Sequence, residues 1–584
     1  MARFGLTVGE QEHKYLVFKE AKGLNTQPSR EALKEDEQAW LENLMPIGDG
    51  FFKAVPNRGA TILTSTVTLS QLHQAVLGTV NYEIVFTAAG GALALNLTAS
   101  STVTICAAGT FSTGYPALDQ WKSERVVFTD PTNGMYSWDG TTFLSPGALV
   151  TVSVVATGTG YTTTPSVTIT GTATVTASAT AILSGGGVSS ISITNSGKGY
   201  AVPPAIGFSG GGGTGTTASA YIVPQGMNGQ AIAVYSGRVW VFNNRVYSYT
   251  APGSWYDVDT GHAAGSGVIT EGSLKERVYA AEALDNYLYV FGDSSILVIG
   301  DVKVTASVTT FSITYLSSTT GTTLPFTITA MERAVLFTNR EGVYALVGAS
   351  LQKISKALDG IFPDINFDTT HAHPITGGLV TIYNIQCYAI NFHYTGSRNG
   401  EANDRHIQAL FLDGKWFITS QGDVEFLGPN SINGVQSMYA ITDAGLAVRK
   451  LYNDSTTAIT TTFLSALSDL GNPIFDKQVI RAGVQITSSA AGAVTVEIDT
   501  ETDFELQDLS AQLQPTWVNN SLQVVQWQNS SMNTVIWGTG GFNATDAPFD
   551  ITGKYLGATF TSDEAGIILH GILMEYVYRA SWSR

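Results

Sequence analysis

Charged residues are scarce in this sequence, only 13% of 584 positions, about half the usual share. With 44% hydrophobic residues, the chain has too much apolar surface to stay disordered. Cysteine is nearly missing. Cys106 and Cys387 stand far apart with no CxxC, so no disulfide framework is expected. Long apolar runs are also missing, and none approaches the roughly 18 residues of a membrane-spanning helix. The start of the chain has no apolar h-region, so no secretory signal is expected. Positive charge is the minority, with 30 Lys and Arg against 47 Asp and Glu for a net −17. That argues against a basic groove gripping nucleic acid, but it suits a channel through which a polyanion slides.

The charge that is present is unevenly placed. From residue 224 onward 19 basic residues face 33 acidic ones, whereas within 146–222 Lys198 is the only charged residue. Composition and pattern together divide the chain into an N-terminal arm (1–50), a propeller (51–145 and 224–460), an inserted module (146–223) and a C-terminal domain (461–584).

In the arm, Lys14 to Phe18 reads as a strand. A helix is expected within 29–44, with Ser29 as cap, an apolar face of Ala32, Leu33, Ala39, Trp40, Leu41 and Leu44, and Pro46 and Gly48 as the stop. Ser70 to His73 starts a weak, short helical pattern.

Elsewhere the period is two. Ala231 to Tyr235, Arg238 to Phe242 and Arg245 to Tyr249 read as three strands joined by tight turns, and comparable meanders recur around Phe291, Phe337, Tyr388 and Tyr439. Taking these as equivalent to Phe242 gives intervals of 49, 46, 51 and 51 residues. An earlier unit, Val127 to Asp130 followed by Gly134 to Tyr136, fits once the module is removed. Antiparallel meanders at this spacing indicate a β-propeller of roughly six to eight blades, with a many-stranded β-sandwich as the alternative. Within the module, Gly158, Gly160, Tyr161, Pro165, Gly171, Ala179 and Ala181 all return 39 residues later, so two copies of one β-unit are expected. The C-terminal segment alternates as in a β-sandwich. The fold class is therefore all-β.

Catalytic motifs are sparse. The glycine runs at 185–187 and 210–213 lack the Lys-Ser/Thr of a phosphate loop, and no Gly-x-Ser-x-Gly elbow occurs. His371 and His373 would share a strand face, but with no third ligand nearby and Pro374 adjacent, no metal site is assigned. The most informative constellation is Glu497, Asp499, Glu501, Asp503 and Glu505. In a single strand all five would share one face, as a solvated face, a cation site or an acidic wall facing a channel.

Four further runs stand out: Phe18 to Gln27, Glu37 to Pro46, Val127 to Asp130 with Tyr136 to Gly140, and Ile551 to Gly557. They resemble the tail nozzle proteins of short-tailed bacteriophages, also called tail tubular or packaged-DNA stabilisation proteins. The resemblance implies a virion protein, a homo-hexameric ring of propeller subunits at the distal end of the tail. It implies attachment to the tail adaptor and contact with fibres or spikes. The ring would retain packaged viral DNA, let it pass without sequence-specific binding, and assemble in the bacterial cytoplasm. The resemblance supplies no catalytic residues and no cofactor. A tailspike-type propeller glycosidase or depolymerase, and a host-surface-binding protein, stand as alternatives.

Overall fold

The computed structural model describes residues 12–579 except 49, 271, 273, 275, 368–373, 397–403, 489–492 and 511–542. Among them the chain is built of strands, and no helix exceeds one three-residue 3-10 turn.

The described residues form seven four-stranded antiparallel units around one axis. The first strands of blades 1 to 7 are Leu69–Leu77, Ala117–Trp121, Ala231–Tyr235, Ala280–Leu284, Thr329–Met331, Thr376–Ile382 and Val424–Ile432. Six of the seven blades are meanders in unbroken sequence order. Blade 7 takes its fourth strand, Thr61–Thr64, from ahead of blade 1, pairing Ala447 with Thr64 and Val448 with Leu63. The ring is thereby closed by hydrogen bonds between the two ends of the propeller, and its terminal edges are paired rather than open.

Local sequence explains the blades. At the first turn of blade 3, Ser236 and Gly237 both adopt positive φ (50° and 66°), the geometry of a two-residue hairpin whose twist matches its strands. The repeating aromatic lies in the second strand of blades 2 to 7, at Phe128, Phe242, Phe291, Phe337, Tyr388 and Tyr439, and all six are buried. The expected short helix at Ser70 to His73 is instead part of the inner strand of blade 1. Its backbone pairs with the strand Val80–Thr87, and that pairing overrides a weak local periodicity.

The inserted module joins blade 2 to blade 3. Its strands pair as Leu149–Thr159 with Thr214–Ile222, Ser166–Thr170 with Ala205–Ser209, and Ser178–Ser184 with Gly187–Asn195. In the middle pair Thr168 stands opposite Gly207, its own counterpart at an offset of 39. The two copies are thus related by a local twofold axis through that pair, and each completes the other. Tyr161 packs with Ala181 of its own copy and with Val188 from the second copy's first strand. Tyr200 packs with the counterparts Ala220 and Leu149. The polar contacts obey the same symmetry: Thr216 Oγ1 donates to the Tyr161 hydroxyl at 3.0 Å, and Ala177 N–H donates to the Tyr200 hydroxyl at 2.9 Å. Neither copy buries its tyrosine alone.

Two further sheets form the C-terminal sandwich, and the N-terminal segment is woven into both. In one, the order beyond blade 6 is Gln38–Glu42, Thr461–Ser465, Gly557–Ser562, Ala493–Asp499 and Phe504–Ser510, so the sixth blade runs on without a break into the sandwich. The other contains Leu44–Ile47, Phe51–Ala54, Ile568–Arg579, Asp476–Thr487 and Asn543–Gly553, with Lys14–Phe18 added on Ile568–Arg579. Phe52, Phe463, Val484, Val496, Phe560 and Met574 fill the core between them.

The helix expected within 29–44 is not formed. The segment holds one 3-10 turn, Arg30–Ala32, and then the strands Gln38–Glu42 and Leu44–Ile47. Ser29 makes no capping hydrogen bond. Trp40 and Leu41, adjacent and both fully buried, point to opposite faces of a strand covered on both sides. A strand buried on both faces carries a continuous apolar run, which imitates helical periodicity over so short a length.

Candidate functional site

The acidic run is not one face of one strand. Ala493–Asp499 turns at Thr500–Asp503 and returns as Phe504–Ser510, placing Glu505 opposite Ile498 and Leu506 opposite Glu497. Because cross-strand partners share a face, Glu497 and Asp499 lie on one side of the hairpin and Glu505 on the other. The sequence pattern missed the turn because it carries no Gly, Pro or Asn; instead Thr500 Oγ1 accepts from Asp503 N–H at 2.9 Å, a side chain closing its own turn.

The fold itself uses several of these carboxylates. Asp499 accepts from Arg30 Nη2 at 2.6 Å and from Thr559 Oγ1 at 2.9 Å. Glu501 accepts from the N–H groups of Lys554 and Tyr555 at 2.9–3.0 Å. Burial opposes its charge, yet those two hydrogen bonds and the Lys554 cation hold its carboxyl below the ordinary value. Glu505 accepts from Asp550 N–H at 2.9 Å. Asp503 accepts from Phe504 N–H within the turn. Glu497 is raised to about 7 by burial and by neighbouring Asp499. His371 and His373 lie outside the described residues.

A second cluster lies on the propeller axis. Six blades, and the segment leading into blade 5, line a cavity of about 820 Å³, through residues such as Leu72, Leu118, Ile232, Glu282, Phe326, Gly377 and Glu425. Its wall is largely apolar, with Arg277, Glu282, His393, His406 and Glu425 among the few ionisable groups. Burial, helped by the charge of Asp119, pushes the Glu282 carboxyl up to about 8. Asp119 itself is raised to about 6 by burial, against hydrogen bonds from Val234 and Gln120 N–H. Burial and Asp423 raise Glu425 to about 7. His406 Nε2 stands 3.8 Å from Asp423 Oδ1 and 3.9 Å from Glu425 Oε2, and Asn391 Nδ2 lies 3.5 Å from its Nδ1. Sequence reasoning missed this site because its members come from different blades and carry no local spacing.

No family model matches this chain, and no curated protein matches it. Solved structures resemble it at low identity. The WD40 repeats of RRP9 match with 8% identity over 68% of this chain and 99% of that one, at a TM-score of 0.36. The β-propeller domain of Myceliophteria thermophila Cps50 (Swd1) matches with 9% identity over 68% and 98%, at 0.29. BBS1N, crystallised in complex with ARL6DN, matches with 11% identity over 56% and 86%, at 0.25. The likeness is one of fold; the seven sheets and their order around the axis are what define the propeller here.

Proposed function

We propose that the chain is a structural subunit of a tail nozzle in a short-tailed bacteriophage. Six copies form a ring around the DNA exit channel, attached to the tail adaptor and touched by fibres or spikes. The ring retains packaged DNA and lets it pass at infection.

The observation that supports this most is the place of the residues carrying the resemblance. Gly23 sits at φ +91°, and a Cβ there would meet Trp416 O at 2.9 Å, so the entry run lies tight against blade 6. Leu24 N–H donates to Trp416 O at 2.7 Å. At the far end of the chain, buried Lys477 donates to Lys554 O at 2.5 Å and to Asn472 O at 2.7 Å, pinning the run Ile551 to Gly557. The entry run thus joins blade 6 to the sandwich, where Phe18 pairs with Ile572, while the run near the other end is held within the sandwich. A net charge of −17 suits a lumen that repels rather than binds a polyanion.

Electron microscopy of the purified protein and of particles tests the proposal. Sixfold rings at the tail tip are expected. A protein absent from particles would overturn it.

One observation favours a second reading, a propeller glycosidase. Glu282 and Glu425 face the same cavity, and their raised pKa values would suit general-acid chemistry. Release of reducing sugar from host envelope polysaccharide, lost on Glu282→Gln, would support it.

A further inference from the structure

We propose that His406, Asp423 and Glu425 form a divalent-cation site that clips blade 6 to blade 7 on the wall of the axial cavity. His406 stands in the third strand of blade 6, Arg405–Leu412. Glu425 lies in the first strand of blade 7, and Asp423 immediately precedes that strand. The site therefore bridges two blades that also meet through Asn391 Nδ2 donating to Val424 O and Leu427 N–H donating to Thr376 Oγ1. One of them, blade 7, is also the blade on which the ring closes.

The geometry fits an ion better than it fits direct contacts among the three. The distances from His406 Nε2 to the two carboxylates, 3.8 and 3.9 Å, are beyond hydrogen-bond reach. All three ligand atoms nevertheless converge within 4.8 Å of one another. A point equidistant from three such atoms lies about 2.2–2.5 Å from each, slightly longer than Zn²⁺ contacts to nitrogen and oxygen, so a small inward shift of the side chains completes the site. Asp423 and Glu425 flank Val424 at a register irregularity of that strand, where a bulge re-aims side chains. The Asn391 amide lies on the Nδ1 side of the ring, so Nε2 is the nitrogen facing the carboxylates.

One imidazole and two carboxylates suit Zn²⁺ or Mn²⁺ better than the all-oxygen preference of Mg²⁺ or Ca²⁺. The neighbouring cavity leaves room for water to complete the coordination.

Calorimetric titration of the metal-stripped full-length protein with ZnCl₂ and MnCl₂ tests this. One saturable site per chain is expected, with a higher melting temperature on loading. Binding should weaken tenfold or more in His406→Ala and in Glu425→Gln. Asp423 accepts from Ala444 N–H at 3.0 Å, and Asp423→Asn keeps an acceptor there while removing the charge, so it serves as the variant that preserves the fold. Absence of saturable binding up to about 1 mM metal, weaker than any useful site, would overturn the proposal. So would affinity unchanged in Asp423→Asn and His406→Ala.

Discussion

Arg405 holds Glu42 with both prongs of its guanidinium, Nη1 lying 2.6 Å from Oε1 and Nη2 2.9 Å from Oε2. Trp40 Nε1 adds a third donor to Oε2 at 2.8 Å. The pair ties the N-terminal strand Gln38–Glu42 to blade 6, and in the sandwich Arg30 pairs with Asp499 through Nη2 alone at 2.6 Å. Both pairs are largely shielded from water, so removing one partner strands the other.

Glu42→Ala should therefore cost about 3 kcal/mol of stability, and Glu42→Gln less, since the amide oxygen still accepts. Urea unfolding checks both. A loss below about 0.5 kcal/mol for Glu42→Ala, the range of ordinary surface changes, would mean that the bridge does not join the two parts.

The second-strand aromatics make a sharper contrast. Phe337 is fully buried, packed against Phe291 and stacked on Tyr344 at 5.5 Å. Phe337→Ala should cost roughly 3–5 kcal/mol. Tyr315, in the exposed fourth strand of blade 4, should tolerate Ala within about 0.5 kcal/mol. Equal costs would contradict the blade assignment.

The inserted module should be removable. Its base is closed by Gly147 N–H to Val223 O at 2.9 Å and Val223 N–H to Ala148 O at 2.8 Å, so the ends lie side by side. Deleting residues 149–222 should leave the remaining chain folded, with its melting temperature shifted by only a few degrees as judged by circular dichroism. Because the two copies complete each other, Tyr161→Ala and Tyr200→Ala should each disturb the whole module. Loss of only one half in proteolysis would count against the twofold arrangement.

Stability should fall as pH rises through the neutral range. Glu282 is raised from 4.5 to about 8 and Asp119 from 3.8 to about 6. The folded state therefore holds these protons more tightly than the unfolded chain does. That advantage is complete below pH 4 and is lost progressively up to about pH 8. Melting temperatures across pH 5–8.5 should decline, and Glu282→Gln should flatten the upper half of the curve. A wild-type slope that Glu282→Gln leaves unchanged would place the titration elsewhere.

Much of the propeller was legible because blades are local meanders: alternation, tight turns and one recurring aromatic all lie within some 40 residues. Blade 1 escaped because Ser70 to His73 has no recurring turn signal, although Phe86 occupies its second strand. The segment 29–44 failed for a different reason. Its strand Gln38–Glu42 pairs with the far-off Thr461–Ser465, as Trp40 does with Leu464, and no local pattern reports such a partner. The acidic run was visible as composition but not as geometry, since Thr500 makes a turn from a side chain that sequence habits assign to strands. The cluster of His406, Asp423 and Glu425 spans only 20 positions but two blades, and only the side-by-side packing of blades 6 and 7 brings it together.

Light scattering on the purified full-length protein tests the nozzle proposal most directly. Six copies of a 61.9 kDa chain give a closed ring of about 370 kDa, and that mass, with sixfold rings in micrographs, is the expected result. A monomer of 61.9 kDa at every concentration, with no rings on particles, would contradict it.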